Sequence, residues 1–257
     1  MRLVRFAVGR DGEHGFGVVE GDQIVEVADP FGDLRPTGAG RPLADTRLLA
    51  PIGPGKIVLA STNYHSVAKM MGREPRLDPV IFFKPPTALA GPDDPIVYPS
   101  ISKKLTYEPE LAVVIKRRCH HVSEDEAADV ILGYTCLNDV SALDLVERDN
   151  GHFSRGKGFD GFAPTGPWIE TDLDPSDIQL AAYLNGARTI TTASNDMIVP
   201  TLKLISYVSG VMTLLPGDLI STGASGIEEM NVGDTIEIEV QGIGRLRNTI
   251  VADPSAR

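Results

Sequence analysis

Short apolar runs, broken by glycine, proline and Asp-Gly or Gly-Asp pairs, set the character of this chain. Aliphatic and β-branched residues at 3–8, 15–20 and 23–27 predict three strands joined by tight turns, a small β unit. A Pro/Gly-rich stretch at 30–42 and the segment 48–55 (Leu-Leu-Ala-Pro-Ile-Gly-Pro-Gly) read as a linker. A strand at 57–60 opens the larger part of the chain, and strands at 234–240 and 244–251 close it. Helical spacing of apolar residues is confined to 67–71, 124–132 (behind a Ser cap), 142–148 and 202–214. The pattern predicts a mainly β (α+β) protein, with a small N-terminal β domain over 1–50 and a larger domain over 51–257.

The most informative stretch is Leu105-Thr106-Tyr107-Glu108-Pro109-Glu110-Leu111-Ala112-Val113-Val114-Ile115. Its apolar end reads as a buried strand, and residues two apart in a strand point to the same face. Glu108 and Glu110 therefore project side by side where unpaired negative charge is costly. Protonating one acid or binding a cation relieves the repulsion, and oxygen ligands suit Mg²⁺, Mn²⁺ or Ca²⁺. Asp139, which follows the apolar segment 130–137, is a third candidate. A solvated strand face is the competing explanation, because Glu-x-Glu alone is a weak signal.

Composition narrows the function. The chain has 257 residues, enough for a sizeable core, and a formal net charge of −11. Such acidity argues against nucleic-acid or anionic-membrane binding, both of which need basic patches. A small anionic substrate would require a metal or a few placed cations. Cys119 and Cys136 are the two cysteines, with no Cys-x-x-Cys, so a reducing cytoplasm is expected rather than a disulfide framework. The start is too short and too charged for a signal peptide, and no window approaches a membrane span.

Several ordered pieces resemble the fumarylacetoacetate hydrolase superfamily. They are Thr62-Asn63-Tyr64, Phe83-Lys84-Pro85-Pro86-Thr87, Tyr107-Glu108-Pro109-Glu110, Gly133-Tyr134-Thr135-Cys136-Leu137-Asn138-Asp139 and Lys157-Gly158-Phe159-Asp160. Further on come Asn185-Gly186, Thr222-Gly223 and Gly242-Ile243-Gly244-Arg245. The resemblance implies a β-roll catalytic domain, usually in a homodimer, with a divalent cation (Mg²⁺ or Mn²⁺) held by Glu108, Glu110 and Asp139. It places Lys157 beside the metal as a catalytic residue and makes Asn63, Tyr64, Asp160, Thr222 and Gly223 candidate substrate contacts. Family members act on small 2-oxo acids and acylpyruvate-like β-dicarbonyls by C–C hydrolysis, decarboxylation, hydration or tautomerisation. In each case the chelated substrate passes through a metal-stabilised enolate.

The chain also departs from that family. Hydrolytic members carry Asn-Tyr-x-x-His-x-x-Glu on a mobile lid, where the His–Glu pair activates water. Here the lid reads Asn63-Tyr64-His65-Ser66-Val67-Ala68-Lys69-Met70, which puts Val67 at the His position and Met70 at the Glu position. His65 is a candidate substitute base, although two residues on a helix amount to a rotation of about 200°. The Thr-Gly-Thr-Pro loop becomes Thr222-Gly223-Ala224-Ser225, with Ser225 a candidate replacement hydroxyl, and the usual Arg-Gln becomes Arg188-Thr189. His152 and Arg155, just before Lys157, are further candidate substrate contacts.

Other signals carry less. Gly156-Lys157-Gly158-Phe159-Asp160-Gly161 spells a dinucleotide motif without its strand and helix. The pair His120-His121 lacks zinc-site partners, and Trp168 reads as core. Three functions remain in play. The preferred one is a metal-dependent enzyme for a small oxo acid, tilted to decarboxylation, C–C lysis or tautomerisation because the lid base is lost. An acylpyruvase-type C–C hydrolase with a substitute base and a non-catalytic ligand-binding relative are the alternatives.

Overall fold

A computed structural model of the chain describes residues 1–9, 12–32, 34–38, 40–53 and 55–255. Asp11 of the first expected turn and Pro54 of the expected linker lie outside the described residues. The three N-terminal runs form an antiparallel meander of strands Arg2–Val8, Glu13–Glu20 and Gln23–Val27. Its own core is slight: Val4, Phe6 and Ile24, with Trp168 packed against them. At about 1.5–3 kcal/mol per buried side chain, that is too little to fold alone. The meander instead continues into the large sheet, pairing Arg2 with Glu170 and Leu3 with Ile169.

From one edge, that sheet runs Arg41–Pro42, Gln23–Val27, Glu13–Glu20, Arg2–Val8, Ala163–Glu170, Ile131–Asn138, Pro109–Ile115, Leu219–Ser221, Ile57–Ser61 and Val80–Lys84. A five-stranded sheet, Ala187–Ala193, Gln179–Leu184, Thr235–Val240, Gly244–Ala252 and Ile96–Tyr98, packs over its middle. A small third sheet joins Leu105–Tyr107 to Ser141–Ala142 and Glu228–Met230. The molecule is mainly β, as the alternating short runs imply.

Strand Pro109–Ile115 is the axis of the fold, and all seven of its residues are buried. Leu111, Val113 and Ile115 face the core shared with Leu180, Ile236, Ile238 and Leu246. Ala112 and Val114 face a second core containing Leu3, Leu59, Ile169 and Leu219. A one-residue slip would exchange the two sets, so this strand's register is fixed by packing on both sides.

Four α-helices are found among the described residues: α1 (His65–Met70), α2 (Leu143–Arg148), α3 (Phe153–Lys157) and α4 (Thr201–Val211). The helix expected at 124–132 does not form. Ser123 and Glu126 do bond reciprocally, but only the 3₁₀ turn Ala127–Val130 forms. Ile131 onward is taken by the ladder with Pro109–Ile115, which buries its aliphatic residues better than an isolated helix would. The last expected helix ends early, at Val211, because Leu214 is drawn into a bridge with Cys119. Helix α3 has no apolar period to announce it. No helix among the described residues is long and apolar enough to cross a membrane.

Candidate metal centre and active-site cavity

Glu108 lies at the break between strands Leu105–Tyr107 and Pro109–Ile115, and Glu110 lies two residues on, on the same face. The ladder pairs Pro109 with Asn138 and Glu110 with Leu137. Asp139, one step past the partner strand, is thereby drawn beside Glu108, and its amide donates to the Glu108 carbonyl at 3.0 Å. The three carboxylates are buried and offer oxygens within 4.8 Å of one another. Lys157 arrives from the end of α3, which packs closely on α2. A Cβ at Gly156 would lie 2.4 Å from Val146 Cγ2 and 2.8 Å from the Ala142 carbonyl, so that approach requires glycine.

Two lysines meet the acids. Lys157 Nζ sits 3.1 Å from both carboxylate oxygens of Glu108 and also donates to Asp139 Oδ2. Lys84 is fully buried; its Nζ donates to the carbonyl of Val140 at 2.8 Å and to that of Phe162. It also lies 2.6 Å from Asp139 Oδ1, a contact of charge rather than an aligned hydrogen bond. Glu110 is served differently: Ser221 Oγ and the Gly223 amide (3.2 Å) donate to its Oε2, and no lysine pairs with it among the described residues. Ser141 Oγ donates to Glu108 Oε1 at 2.7 Å.

The electrostatics follow from this arrangement. Burial, with Asp139 nearby, holds the Glu110 carboxyl well above the ordinary carboxylate range. Burial also raises Glu108, against the pull of Lys157. For Asp139 burial alone would act upward, but Lys157 and Lys84 outweigh it and its pKa falls. Burial opposes the charge on Lys157 as well, yet Asp139 and Glu108 more than compensate and its pKa rises. At Lys84 desolvation wins and the pKa is lowered. Three hard oxygen donors, one of them facing no cation, fit a divalent ion of the Mg²⁺ or Mn²⁺ kind.

The cluster floors a cavity of about 400 Å³. Glu108, Asp139 and Lys157 line its polar end, and Val67, Met71, Phe82, Leu143, Val146 and Phe153 make most of the wall. Thr62, Arg73, Glu147 and Ala224 also line it, and no described lining residue is a histidine. The rings of Phe82 and Phe153 lie 4.4 Å apart, 5.2 and 5.6 Å from Lys157 Nζ.

The structure brings Glu108, Glu110, Asp139 and Lys157 together, with Thr222 and Gly223 adjoining. It does not bring every other candidate there. His65 is exposed and does not line the cavity, while Val67, two residues along α1, is buried and does. Asn63 is buried as a clamp: its amide donates to the carbonyls of Val199 and Thr222, and its oxygen accepts from the Val199 amide. Tyr64 is wholly buried in the core. Arg155 is exposed and bound to Asp149 at 2.7 Å, and Asp160 is exposed beside a separate groove with Phe159 and Ile101. The Ser225 hydroxyl donates to the Pro109 carbonyl at 2.7 Å, and that of Thr222 to the Leu111 carbonyl at 2.9 Å, so both tie the loop to the strand. Gly223 has φ +102°, and a Cβ there would stand 2.9 Å from that of Asn63. Lys84, Ser141, Ser221, Arg73 and Glu147 drew no role from the sequence. Lys84 and Ser141 had a signal, their places in Phe83-Lys84-Pro85 and in the family-like run that continues past Asp139 as Val140-Ser141-Ala142.

Residues 56–251 match the model of the fumarylacetoacetate (FAA) hydrolase C-terminal family, and residues 1–51 match the Rv2993c-like N-terminal model. Protein Rv2993c of Mycobacterium tuberculosis is 46% identical over 231 residues, covering 88% of this chain and 87% of that protein. The crystal structure of 2-hydroxyhepta-2,4-diene-1,7-dioate isomerase from Mycobacterium marinum superposes with a TM-score of 0.91 at 44% identity, over 99% of this chain and 100% of that one. Maleylpyruvate hydrolase from Sphingobium sp. SYK-6, solved with manganese(II) and pyruvate, gives a TM-score of 0.80 at 30% identity, over 98% and 99%.

Proposed function

The chain belongs to the fumarylacetoacetate hydrolase family, and from that premise we propose that it converts a small 2-oxo or β-dicarbonyl acid without activating water. Decarboxylation, C–C lysis and tautomerisation fit that description. The observation that carries the reading is the buried Glu108–Glu110–Asp139 cluster with Lys157, opening on a cavity whose described lining contains no histidine. The three acids would hold Mg²⁺ or Mn²⁺, which when bound supplies Lewis acidity toward the oxygens of an oxo acid. A manganese ion and pyruvate in the Sphingobium relative support that assignment.

The protein's own groups supply the rest. Lys157 stays protonated among its acids and places a fixed positive charge where an enolate oxygen would develop. Phe82 and Phe153 flank that ammonium, and Val67, Leu143 and Val146 keep the cavity poor in water, which strengthens each electrostatic contact. Val67 offers no atom that can take a proton from water. In H₂¹⁸O, turnover of an oxo-acid substrate is expected to leave every product carboxylate unlabelled; label in a newly formed carboxylate would sink this version. One observation favours a second reading, a C–C hydrolase: Glu147 lines the cavity as an exposed carboxylate without an ion-pair partner among the described residues. In that case label enters, and Glu147→Gln abolishes its entry.

A homodimer is part of the same proposal. Val80–Lys84 ends the large sheet with Val80 and Phe83 exposed, next to exposed Leu77. An apolar sheet edge of this kind invites a second copy. Light scattering on the purified chain should give twice 27.6 kDa, and a monomer mass at micromolar concentration would refute it.

A further inference from the structure

Interconversion of keto and enol forms moves a proton on and off carbon, and neither the acid–lysine cluster nor the lid supplies a carrier for it. Glu108 and Asp139 are paired with Lys157, and as metal ligands they could not take up a proton without releasing the ion. On the lid, Val67 has no basic atom and His65 does not line the cavity. Elsewhere on the described lining, Arg73 cannot give up its proton. The hydroxyls of Ser61 and Thr62 are weak bases without a partner to activate them, and Thr62 Oγ1 already accepts from Arg73 at 2.8 Å. One proton acceptor is left, Glu147.

Glu147 stands on α2, where Leu143, Val146 and Glu147 share one helix face and all line the cavity. Its carboxylate is exposed and has no ion-pair partner among the described residues. Arg155 leaves it uncompensated, being committed to Asp149 at 2.7 Å. The close approach of Gly156 to Val146 and Ala142 locks α2 against α3, the helix that ends at Lys157. Glu147 and Lys157 are therefore carried by one packed pair of short helices and line the same cavity of about 400 Å³.

Resting on the reading of this cavity as the oxo-acid site, we propose that Glu147 is a catalytic residue, the base that moves a proton on and off carbon of the bound acid. Its carboxylate takes a proton from the carbon beside the keto group. The C–H electron pair forms the C=C bond, and the carbonyl π pair moves onto oxygen. The enolate oxygen so formed faces the Lys157 ammonium. The proton held on Glu147 then returns to the same carbon, or to one further along a conjugated chain. Water and oxidant take no part, and the sum is an isomerisation.

The test is deuterium exchange on the full chain with Mg²⁺, read by ¹H NMR in D₂O with 2-oxobutanoate as the probe. The wild type is expected to exchange the hydrogens beside the keto group well above the uncatalysed rate. Glu147→Gln should slow that exchange about 100-fold or more, the usual weight of a general base. Oxalate binding, followed by titration calorimetry with Mg²⁺, should stay unchanged in the same variant. Glu147→Asp keeps the carboxylate and should regain part of the rate. Exchange that persists in Glu147→Gln, or is absent from a wild type that binds oxalate, overturns the assignment and leaves the metal-centre reading standing. An Asp variant no faster than the Gln variant overturns it as well. Failure of the wild type to bind oxalate with Mg²⁺ overturns the metal-centre reading, and this assignment with it. Loss of oxalate binding in Glu147→Gln alone shows a structural role and overturns the base.

Discussion

Replacing Glu110 with alanine is expected to abolish divalent-metal binding and turnover together. Glu110 is the carboxylate of the cluster with no lysine beside it, so its negative charge is the one most in need of a cation. Loss of charge stabilisation at a reacting oxygen typically costs 10²–10³-fold in rate, and losing the ion should cost at least about 10³-fold. Calorimetric titration with Mn²⁺ and steady-state assay of the same preparation check both halves. An active Ala variant that no longer binds metal would remove the central idea. A pH effect accompanies this. The folded-state pKa of Glu110 is raised above 4.5, so folding favours the neutral acid. That contribution is complete below about pH 4.5 and disappears as pH rises through the folded value. Metal-free protein should therefore lose stability with rising pH over that window, and Glu110→Gln should flatten the slope.

The largest effect on stability is expected at Lys84. Its ammonium is fully buried, 2.6 Å from Asp139, and it also ties the carbonyls of Val140 and Phe162. Lys84→Met removes the cation and leaves a buried carboxylate with Lys157 as its remaining partner. Breaking a buried pair from one side costs roughly 3–5 kcal/mol, because the other charge stays without compensation. Urea unfolding of the chain should show a loss of that size. The double variant Lys84→Met with Asp139→Asn should recover part of it, since the stranded charge is gone. A single-variant loss below about 1 kcal/mol would mean that Lys157 alone neutralises Asp139.

Much of this architecture was legible in the sequence, and the failures are instructive. Glu108 and Glu110 announced their shared face because strand parity is a local property. Their meeting with Asp139 needed the ladder register, which packing on both faces of Pro109–Ile115 sets and which no local pattern displays. The helix expected at 124–132 had a valid capping signal, yet the tertiary ladder overrode it after one turn. Helix α3 was silent because five residues ending at Lys157 carry no period. Arg73 falls in the lid stretch from Asn63 to Asp78 where the sequence places specificity, but nothing in that polar loop singles it out; only the folded chain brings it to the same cavity as Lys157. Ser225 stands next in sequence to the missing hydroxyl, but its bond to the Pro109 carbonyl commits its own hydroxyl to the backbone.

The seam between the N-terminal meander and the strand Ala163–Glu170 bears on any effort to treat this protein as interchangeable parts. Leu3 belongs to the same apolar core as Leu59 and Leu219, and Arg2 and Leu3 pair in register with Glu170 and Ile169 of the strand that follows Lys157. A chimera that borrows its first fifty or so residues from a relative would have to match side-chain volume and strand alignment at once. Cutting the chain at that junction would leave a bare β edge beside an opened core, a template for aggregation. The two stretches share one sheet and one apolar core, and recombination is expected to succeed only where it exchanges both sides of the seam together.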